Sequence, residues 1–479
     1  MMHILNYING TMQAALSGDT LDNFEPATGH VYGQIADSDS ADVAMAFEAA
    51  KAAKESWAHT PAEEKFKWLN ALADAIDADR ERFAAAESKD QGKPLWLARN
   101  EMIRAAQNFR FFATAAMQFA SESHATENKA INYTLRQPIG VVGCISPWNL
   151  PLYLFSWKIA PALAAGNTVI AKPSEFTAAT AHLLGEACIK IGFPVGVLNI
   201  VNGLGPKVGQ AMVEHKGIKA ISFTGGTATG KHIASIAAPM FKKLSLELGG
   251  KNPNIIFEDA DIEKAMKTTI NTSFLNQGEI CLCGSRLMVH ESIYEIVKNR
   301  IVNEANNLKV GNPKEENTRV GAIVSKQHYD KVLAHIELAK EEGGTILAGG
   351  TPVFPEGFES GWFIAPTVIE GLSATCRTNT EEIFGPVITL IPFKDEEEAL
   401  TIANATEYGL AATLWTENLT RAHRMAANLE FGIVWINCWL LRDLRTPFGG
   451  AKSSGVGREG GWEAMRFFTE PKNVCIALS

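Results

Sequence analysis

The sequence predicts an α/β protein with two doubly wound domains. Short apolar runs of strand length alternate with amphipathic helical patterns between residues 139 and 223, and a second alternating region follows Lys251. Such alternation is typical of parallel sheets that are covered by helices on both faces. The 479 residues, 46% of them hydrophobic, are enough for two or three domains with substantial cores.

The amino-terminal third of the chain is predicted to be helical. Thr60–Glu63 has the pattern of a capping box with proline at the first helical position. Four apolar residues then recur on one helical face, namely Phe66, Leu69, Leu72 and Ile76. We expect this face to pack on a sheet.

The two alternating regions define most of the remaining elements. In the first, we predict strands at Ile139–Ile145, Thr168–Ala171, Val197–Val201 and Ala220–Phe223, and helices at Ala178–Ile191 and Lys207–Glu214. In the second, we predict strands at Asn254–Phe257, Arg286–Val289 and Val387–Phe393, and helices at Ile293–Asn307 and Lys326–Glu342. Sheets of this kind bind nucleotides at the carboxyl ends of their strands.

Composition excludes several classes of partner. The net charge of −9 and the absence of a long basic run argue against nucleic acid. Seven scattered cysteines indicate a reducing, cytoplasmic compartment, and the first ten residues lack an export signal. No metal site is expected, because Cys281-Leu282-Cys283 is not followed by a second pair at zinc spacing. Gln137–Trp157 is uncharged and long enough to cross a membrane, but its three prolines favour a strand, a loop and a helix.

Two motifs supply a candidate nucleophile and a candidate base. Cys281 ends the run Asn276–Cys281, and Glu247 begins the run Glu247–Lys251 about thirty residues earlier. A lone cysteine among apolar residues is usually a small core residue. The polar turn before this cysteine and the separate glutamate motif together point to covalent catalysis.

These motifs, with others in the same order, closely resemble the aldehyde dehydrogenase superfamily. The others are Pro147–Asn149, Lys172–Glu175, Phe223–Gly226 and Glu382–Pro386, and the resemblance runs from Asn23–Gly29 to Pro447–Gly450 and Ser454–Glu459. The resemblance implies an NAD-binding domain at residues 1–124 and 139–248 and a catalytic domain at 249–462. It also implies a small β oligomerisation element at 125–138 and 463–479, and hence a homodimer or homotetramer. The apolar run Asn473–Leu478 is consistent with a strand that requires a partner.

The predicted cofactor site begins at Phe223–Gly230, which follows a strand and opens a helix whose amides can accept a pyrophosphate. Its glycine spacing is not the usual dinucleotide fingerprint, so a turn with close helix packing is an alternative. The resemblance implies that Gly225 and Gly226 hold the dinucleotide, although many family members have serine at the position of Gly226.

Other residues that match the family's cofactor contacts favour NAD over NADP. The resemblance implies that Lys172 and Glu175 reach the adenosine ribose, where a carboxylate would accept hydrogen bonds from the hydroxyls and repel a 2′-phosphate. The alternative for this pair is a solvated loop. Trp148, Glu382 and Phe384 match residues at the nicotinamide end.

The resemblance also implies roles in the chemistry. Cys281 would attack the aldehyde carbon, with Cys283 treated as packing. Asn149 and the Cys281 amide would stabilise the oxyanion, although a turn cap is the alternative for Asn149. Glu247 would activate the water that releases the acid, which argues against a coenzyme-A-acylating enzyme. Glu279, where many members have glutamine, is expected to raise the pKa of the thiol.

The predicted substrate is a semialdehyde that carries a carboxylate. Three segments (Lys243–Pro253, Gly278–Cys283 and Asn437–Leu444) look most like the branch acting on 2-aminomuconate or 2-hydroxymuconate semialdehyde. A carboxylate requires a cation in the pocket. The candidates, in order, are Arg442, Arg104 and Arg445, each with a surface salt bridge as the alternative, and Trp157 and Phe448 are predicted to wall the pocket. The alternative functions are a betaine-aldehyde or broad aliphatic aldehyde dehydrogenase, a cysteine hydrolase and a binding protein without activity.

Overall fold

The computed structural model describes residues 2–478. Its α-helices are α1 (Ser40–His59), α2 (Ala62–Ala78), α3 (Arg80–Gln91), α4 (Leu95–Gln118), α5 (Pro151–Ala164), α6 (Ala179–Ile191), α7 (Gln210–Glu214), α8 (Thr227–Ala237), α9 (Ile262–Phe274), α10 (Tyr294–Asn307), α11 (Lys326–Glu341), α12 (Arg377–Thr380), α13 (Glu396–Asn404), α14 (Leu419–Asn428) and α15 (Gly461–Phe467).

The strands form two large sheets and several small ones. They are β1 (Met2–Ile4), β2 (Asn6–Ile8), β3 (Thr11–Gln13), β4 (Thr20–Glu25), β5 (His30–Ala36), β6 (Ser123–Thr126), β7 (Ala130–Pro138), β8 (Val141–Ile145), β9 (Thr168–Lys172), β10 (Leu198–Ile200), β11 (Ala220–Thr224), β12 (Lys243–Glu247), β13 (Pro253–Ile256), β14 (Arg286–His290), β15 (Thr345–Ala348), β16 (Pro352–Val353), β17 (Phe363–Ile364), β18 (Thr367–Glu370), β19 (Val387–Phe393), β20 (Tyr408–Gly409), β21 (Ala411–Trp415), β22 (Ile433–Ile436), β23 (Ala451–Lys452), β24 (Gly455–Val456) and β25 (Thr469–Ala477).

The first large sheet has the strand order β24-β12-β11-β8-β9-β10-β2-β3, and the five strands from β12 to β10 are parallel. Successive residues of one strand point to opposite faces. Val142 and Val169 therefore join one buried cluster with α2, α4 and α5, whereas Val141 and Ile170 join another with α1, α7 and α8. Both faces are covered, which confirms the doubly wound prediction.

The second large sheet has the order β15-β18-β19-β14-β13-β21-β22, and only β15 is antiparallel to its neighbour. Helices α9 and α10 pack on one part of its surface, and α13 and α14 pack on another. All the strands and helices predicted in the two alternating regions are confirmed to within a few residues. The exception is the start of the predicted helix at residues 207–214, where a π-helical turn over Gly205–Gly209 precedes α7.

The capping-box prediction was wrong. Helix α2 begins at Ala62, and its N-cap Pro61 makes no side-chain cap hydrogen bond. The Thr60 hydroxyl instead donates to the Ser56 carbonyl at 2.9 Å, so it completes the end of α1. The predicted packing partner was also wrong, since α2 lies mainly against α4 and α6. The sheet is covered there by two layers of helix, and an apolar stripe does not distinguish a helix from a sheet as its partner.

A third sheet contains the predicted oligomerisation segments. Strand β25 pairs antiparallel with β7 from Thr469 opposite Pro138 to Ala477 opposite Ala130, and β6 flanks β7 on the other side. The sheet begins at Ser123, two residues before the predicted range, and residues 463–467 belong to α15. The predicted ranges also include Met1 and Ser479, which lie outside the described residues. Over residues 2–478, no helix is both long and apolar enough to cross a membrane.

Candidate active site

The loop that carries Cys281 is a strained turn packed against a second motif. Asn276 and Gln277 have positive φ angles of 52° and 56°, which non-glycine residues rarely adopt. Gly278 has a φ of 72°, and a Cβ there would lie 2.1 Å from the Gly385 carbonyl oxygen. Only glycine allows this approach, so the turn joins the cysteine loop to Glu382–Pro386. Strained backbone of this kind is concentrated at functional sites.

Cys281 lines a cavity of about 240 Å³ together with Asn149, Glu382 and Phe384. Burial raises the pKa of its thiol, and the carboxylates of Glu247 and Glu382 raise the pKa further. At its present pKa the thiol requires a base or a local rearrangement before it can act as a nucleophile.

Glu279 is not among the groups that act most strongly on the pKa of the Cys281 thiol. Its carboxylate accepts hydrogen bonds from Gln91 Nε2 at 2.5 Å and from the Val324 amide at 3.2 Å, in a fully buried position. The carboxylates that raise the pKa of Cys281 are instead those of Glu247 and Glu382. One of its donors, Gln91, ends α3, and the other, Val324, precedes α11. Both lie far from Glu279 in sequence, so the motif does not reveal these contacts.

Asn149 follows β8 and is held from two sides. Its side-chain Nδ2 donates to the Glu279 carbonyl at 2.9 Å, and its own carbonyl accepts from Lys93 Nζ at 2.9 Å and Asn276 Nδ2 at 3.0 Å. Asn149 is not the N-cap of α5, since that residue is Leu150. One amide hydrogen of Asn149 is engaged by protein, and the second remains available to a ligand in the cavity.

Glu247 is the last residue of β12 and is buried. Burial raises the pKa of its carboxyl well above the usual range, and the neighbouring Glu459 carboxylate acts in the same direction. A Cβ at Gly449 would lie 2.6 Å from Glu247 Oε1, so only glycine lets the chain approach this carboxylate. A buried carboxyl with a raised pKa is suited to proton transfer near neutral pH.

A larger cleft adjoins the cavity at Cys281. It encloses about 600 Å³ and is lined by Lys172, Glu175, Gly225 and Gly226, among others. The two spaces share five lining residues, namely Pro147, Trp148, Thr224, Gly225 and Gly226, so they form one continuous channel.

The cleft fits a dinucleotide. Helix α8 begins at Thr227 beside the two glycines, so the free amides of its first turn lie at the cleft. A Cβ at Gly226 would meet nothing within 4 Å, so this position borders open space in the cleft. Thr224 Oγ1 is buried and has no partner within residues 2–478. Lys172 Nζ donates to Glu175 Oε2 at 3.1 Å, which places this pair on one wall.

The opposite end of the channel is aromatic. Trp148 meets Phe384 edge to face with ring centroids 5.2 Å apart, and Phe384 has a positive φ of 63°. Glu382 Oε1 accepts from the Gly250 amide at 2.9 Å, and this carboxylate lines the same space. The sequence-predicted nicotinamide residues therefore lie together, about the cavity that holds Cys281.

Arg442 lies between two aromatic rings. Its guanidinium carbon is 4.1 Å from the Phe448 ring centroid and 4.9 Å from that of Trp157, and its Nη1 donates to the Tyr153 hydroxyl at 2.7 Å. Its positive charge lowers the pKa of both Cys281 and Glu247, so it lies within electrostatic range of both. Trp157 and Phe448 thus contact the arginine directly and do not wall the pocket alone.

The other two candidate arginines, Arg104 and Arg445, have surroundings that differ from those of Arg442. Arg104 lies half-buried on α4, where its Nη1 donates to Gln107 Oε1 at 3.3 Å, and it has no acidic partner in the part of the chain that the structure describes. Arg445 is exposed and forms an ion pair with Asp443 at 2.6 Å. The surface salt bridge that was the alternative for each arginine therefore applies to Arg445.

Comparison with known proteins agrees with this geometry. The model of the aldehyde dehydrogenase family matches residues 13–474. The chain belongs to the aldehyde dehydrogenase family. As an aldehyde dehydrogenase it is an oxidoreductase that oxidises an aldehyde with a nicotinamide dinucleotide, and the predictions of family, fold and enzyme class are confirmed. The alternatives of a cysteine hydrolase and an inactive binding protein are not supported.

Similar aldehyde dehydrogenases include the 2-aminomuconic semialdehyde dehydrogenase of Danio rerio, which is 48% identical over 98% of this chain and 97% of its own. The 2-hydroxymuconic semialdehyde dehydrogenase of Pseudomonas sp. (strain CF600) is 44% identical over the whole of both chains. The structure of an aldehyde dehydrogenase from Bacillus cereus in complex with NAD⁺ superposes with a TM-score of 0.97, at 40% identity and over 100% of this chain and 97% of that one.

Two groups of residues near the site of this aldehyde dehydrogenase were not predicted from its sequence. Lys158 Nζ donates to Glu459 Oε1 at 2.7 Å and to Ser222 Oγ at 3.2 Å, in a buried cluster whose charges act on Glu247. A lysine directly after a long uncharged segment was a usable signal, because lysine is rarely buried without a partner.

His328 is the second omission. Its ring lies 5.0 Å from that of Trp148, and its Nε2 donates to the Phe384 carbonyl at 2.7 Å. Burial lowers the pKa of His328 to about 4, so the ring is neutral at pH 7. It lies far from both partners in sequence, and no local pattern indicated the contact.

Proposed function

We propose that this aldehyde dehydrogenase oxidises 2-aminomuconate or 2-hydroxymuconate 6-semialdehyde to the dicarboxylate with NAD. The observation that carries the proposal is Arg442, a cation with no acidic partner in residues 2–478, held within electrostatic range of Cys281 and Glu247. The names of the similar proteins of Danio rerio and Pseudomonas support the same substrate class.

The alternative of a betaine-aldehyde dehydrogenase agrees less well with the site. A betaine aldehyde dehydrogenase of Staphylococcus aureus is 37% identical, over 98% of this chain and 95% of that one, with a TM-score of 0.96. A quaternary ammonium substrate would meet the like charge of Arg442. A broad aliphatic aldehyde would leave this cation without a function.

In the proposed reaction, the Cys281 thiolate attacks the aldehyde carbon and forms a tetrahedral thiohemiacetal. Asn149 Nδ2 and the Cys281 amide donate to the developing oxyanion, a contribution typically worth about 100- to 1000-fold in rate for one such donor. The hydride on this carbon would leave to the nicotinamide ring, which is the electron acceptor that a bound dinucleotide would supply beside Trp148, Glu382 and Phe384. Cys281 then carries a thioester, which is resolved by water.

Glu247 is proposed to remove a proton from that water as it attacks the thioester carbon. The carbon–sulfur bond breaks, the acid leaves and Cys281 returns as a thiolate. The proton on Glu247 can pass towards the Lys158 and Glu459 pair, whose charges act directly on this carboxyl. Together these steps consume one aldehyde, one NAD⁺ and one water, and yield one carboxylate, one NADH and two protons.

We further propose the domain assignment given by the family resemblance. Residues 1–124 and 139–248 form the NAD-binding domain, 249–462 the catalytic domain, and 125–138 with 463–479 the oligomerisation element. Strand β24 belongs by sequence to the proposed catalytic domain, but it pairs with β12 in the first large sheet. It therefore links the two proposed domains. A cytoplasmic location is also proposed, and all seven cysteines are free thiols.

Glu175→Gln is expected to reduce the preference for NAD over NADP. The neutral amide removes the negative charge that would repel a 2′-phosphate, and it weakens hydrogen bonds from the ribose hydroxyls. kcat/KM measured with both cofactors should fall for NAD and rise for NADP. Glu337→Gln, on the exposed face of α11, is the matched control. An unchanged ratio in Glu175→Gln would remove this residue from the argument.

The protein is proposed to be a homodimer or homotetramer. Strand β25 lies at the edge of its sheet, and four apolar residues of this region are 40–56% exposed, namely Ile131, Leu135, Ile476 and Leu478. Exposed apolar edge strands require protection or a partner. Sedimentation at micromolar concentration should give two or four subunits, and a monomer would contradict the proposal.

Arg442→Ala is expected to impair a substrate that carries a carboxylate and to spare an uncharged one. A suitable pair is 6-oxohexanoate and hexanal, which have the same number of carbon atoms. Loss of a charge-assisted hydrogen bond is worth about 1.5–3 kcal/mol, so kcat/KM for 6-oxohexanoate should fall by roughly 10- to 150-fold. Arg104→Ala should show a smaller selective loss, because within residues 2–478 the Arg104 guanidinium is held by one hydrogen bond, to Gln107, whereas three side chains orient that of Arg442.

Arg445→Ala is the control for this comparison, because its charge is already paired with Asp443. It lies three residues from Arg442 in the same loop and should leave both substrates unchanged. Equal losses on 6-oxohexanoate and hexanal in Arg442→Ala would rule out carboxylate recognition by this residue.

A further inference from the structure

Tyr153 lies where α4, α5 and the arginine loop meet. It is nearly buried in the first turn of α5, and its carbonyl accepts from Asn108 Nδ2 of α4 at 3.1 Å. Its hydroxyl accepts from Arg442 Nη1 at 2.7 Å. The phenol is therefore fixed at its backbone by one helix and faces the candidate substrate arginine with its polar end.

The guanidinium of Arg442 is fixed in orientation by three contacts. Phe448 and Trp157 lie against it at 4.1 and 4.9 Å, and Tyr153 holds one terminal nitrogen. A guanidinium has five N–H donors in one plane. Within residues 2–478, only one of the side-chain nitrogens of Arg442 donates a hydrogen bond, so several donors in that plane remain for a ligand.

The Tyr153 hydroxyl retains a donor of its own. A phenol oxygen that accepts a hydrogen bond still carries its O–H hydrogen. In the described part of the chain this hydroxyl has no partner besides Arg442. Its free O–H and the free N–H groups of Arg442 are adjacent, a set of donors that matches the acceptor oxygens of a carboxylate.

We propose that Tyr153 is a specificity-determining residue that donates its O–H to the substrate carboxylate and orients Arg442 for the same group. The inference deepens the proposed function and rests on it. Asn149 lies in the bend that leads into α5, and Tyr153 lies in the first turn of that helix. Because both residues belong to one short segment, a short chain could present its aldehyde to Asn149 and its carboxylate to this pair.

The first test is Tyr153→Phe, which keeps the ring and removes the hydroxyl. kcat/KM for 6-oxohexanoate should fall about 10- to 100-fold, mainly through KM, because a hydrogen bond to a charged group is lost. kcat/KM for hexanal should stay within about twofold. Tyr294→Phe is the control, since it removes a tyrosine hydroxyl that donates to Glu370 Oε2 at 3.1 Å and does not contact Arg442.

A second test measures binding without turnover. Adipate, a dicarboxylate of the same length, should bind the wild-type enzyme in calorimetry and bind Tyr153→Phe about tenfold or more weakly. Arg442→Lys should also weaken adipate, because an ammonium lacks the planar fork. An unchanged affinity in Tyr153→Phe, or equal losses of kcat/KM on 6-oxohexanoate and hexanal, would overturn the proposal.

The two tests separate failure of this inference from failure of the proposed function. If the wild-type enzyme oxidises neither 6-oxohexanoate nor hexanal with NAD, the proposed function fails, and the adipate titration still decides the role of Tyr153. If it oxidises both and Tyr153→Phe behaves like the wild type, the proposed function stands and the role of Tyr153 is refuted.

Discussion

Cys281→Ala is expected to lower kcat by about four orders of magnitude or more, the scale seen when a covalent nucleophile is removed. No hydride can leave an aldehyde carbon until a nucleophile makes that carbon tetrahedral, and alanine offers none. The measurement is NADH absorbance with an aldehyde and NAD. Binding of NAD should be retained, since the cleft of about 600 Å³ is lined by residues other than Cys281.

Cys283→Ala is the control for this prediction. Cys283 is buried in an apolar cluster with Ile280, Leu282 and Trp435, two residues from the proposed nucleophile. Its loss should affect stability and leave the rate within about tenfold, because a small core side chain can be shortened at modest cost. If Cys283→Ala were inactive and Cys281→Ala active, Cys283 would be the nucleophile and Cys281 the packing residue.

The parts of the fold that could be predicted from sequence are those with local signals. Strands β8, β9, β11 and β19 are short apolar runs between turns, so their periodicity and length were sufficient. The same signals could not identify the packing partner of α2, because apolar stripes look alike whether a helix or a sheet covers them. Thr60 was also ambiguous, since a threonine between two helices can complete the first or begin the second.

The position of the candidate site follows from the topology of the first large sheet. Glu247 ends β12, and Asn149 follows β8 by four residues, so both lie at the carboxyl edge of the first sheet. Cys281 reaches this edge through the Gly278 turn. The sequence could indicate that Glu247, Asn149 and Cys281 lie together, because each belongs to a motif with a recognisable local pattern. Contacts made by single residues far apart in sequence, such as His328 with Phe384, have no such signature.

The direction of individual side chains was the least predictable feature. Glu279 lies two residues from Cys281, yet its carboxylate faces Gln91. Trp157 and Phe448 were predicted as pocket walls, and their contact with the Arg442 guanidinium could not be read from the sequence. Sequence spacing determines which segments carry these groups, whereas rotamers depend on partners from other segments.

Glu247→Gln is expected to separate hydride transfer from hydrolysis. The first turnover requires Cys281 and Asn149, so a burst of about one NADH per subunit should appear. Release of the acid requires a base, so the steady-state rate should then fall by roughly 100- to 10,000-fold. Rapid mixing with NADH absorbance measures both phases, and mass spectrometry should find the acyl group on Cys281.

Hydroxylamine provides the decisive control for that variant. It attacks a thioester without a protein base, so it should restore turnover in Glu247→Gln and change the wild type little.

The pH profile provides a second check. Burial and Glu459 raise the pKa of Glu247, so hydrolysis in the wild type should fall with decreasing pH at a higher pH than an ordinary carboxyl would give. This acidic fall in the hydrolysis rate should be absent in Glu247→Gln. Normal steady-state turnover of Glu247→Gln without a burst of NADH would show that another group is the base.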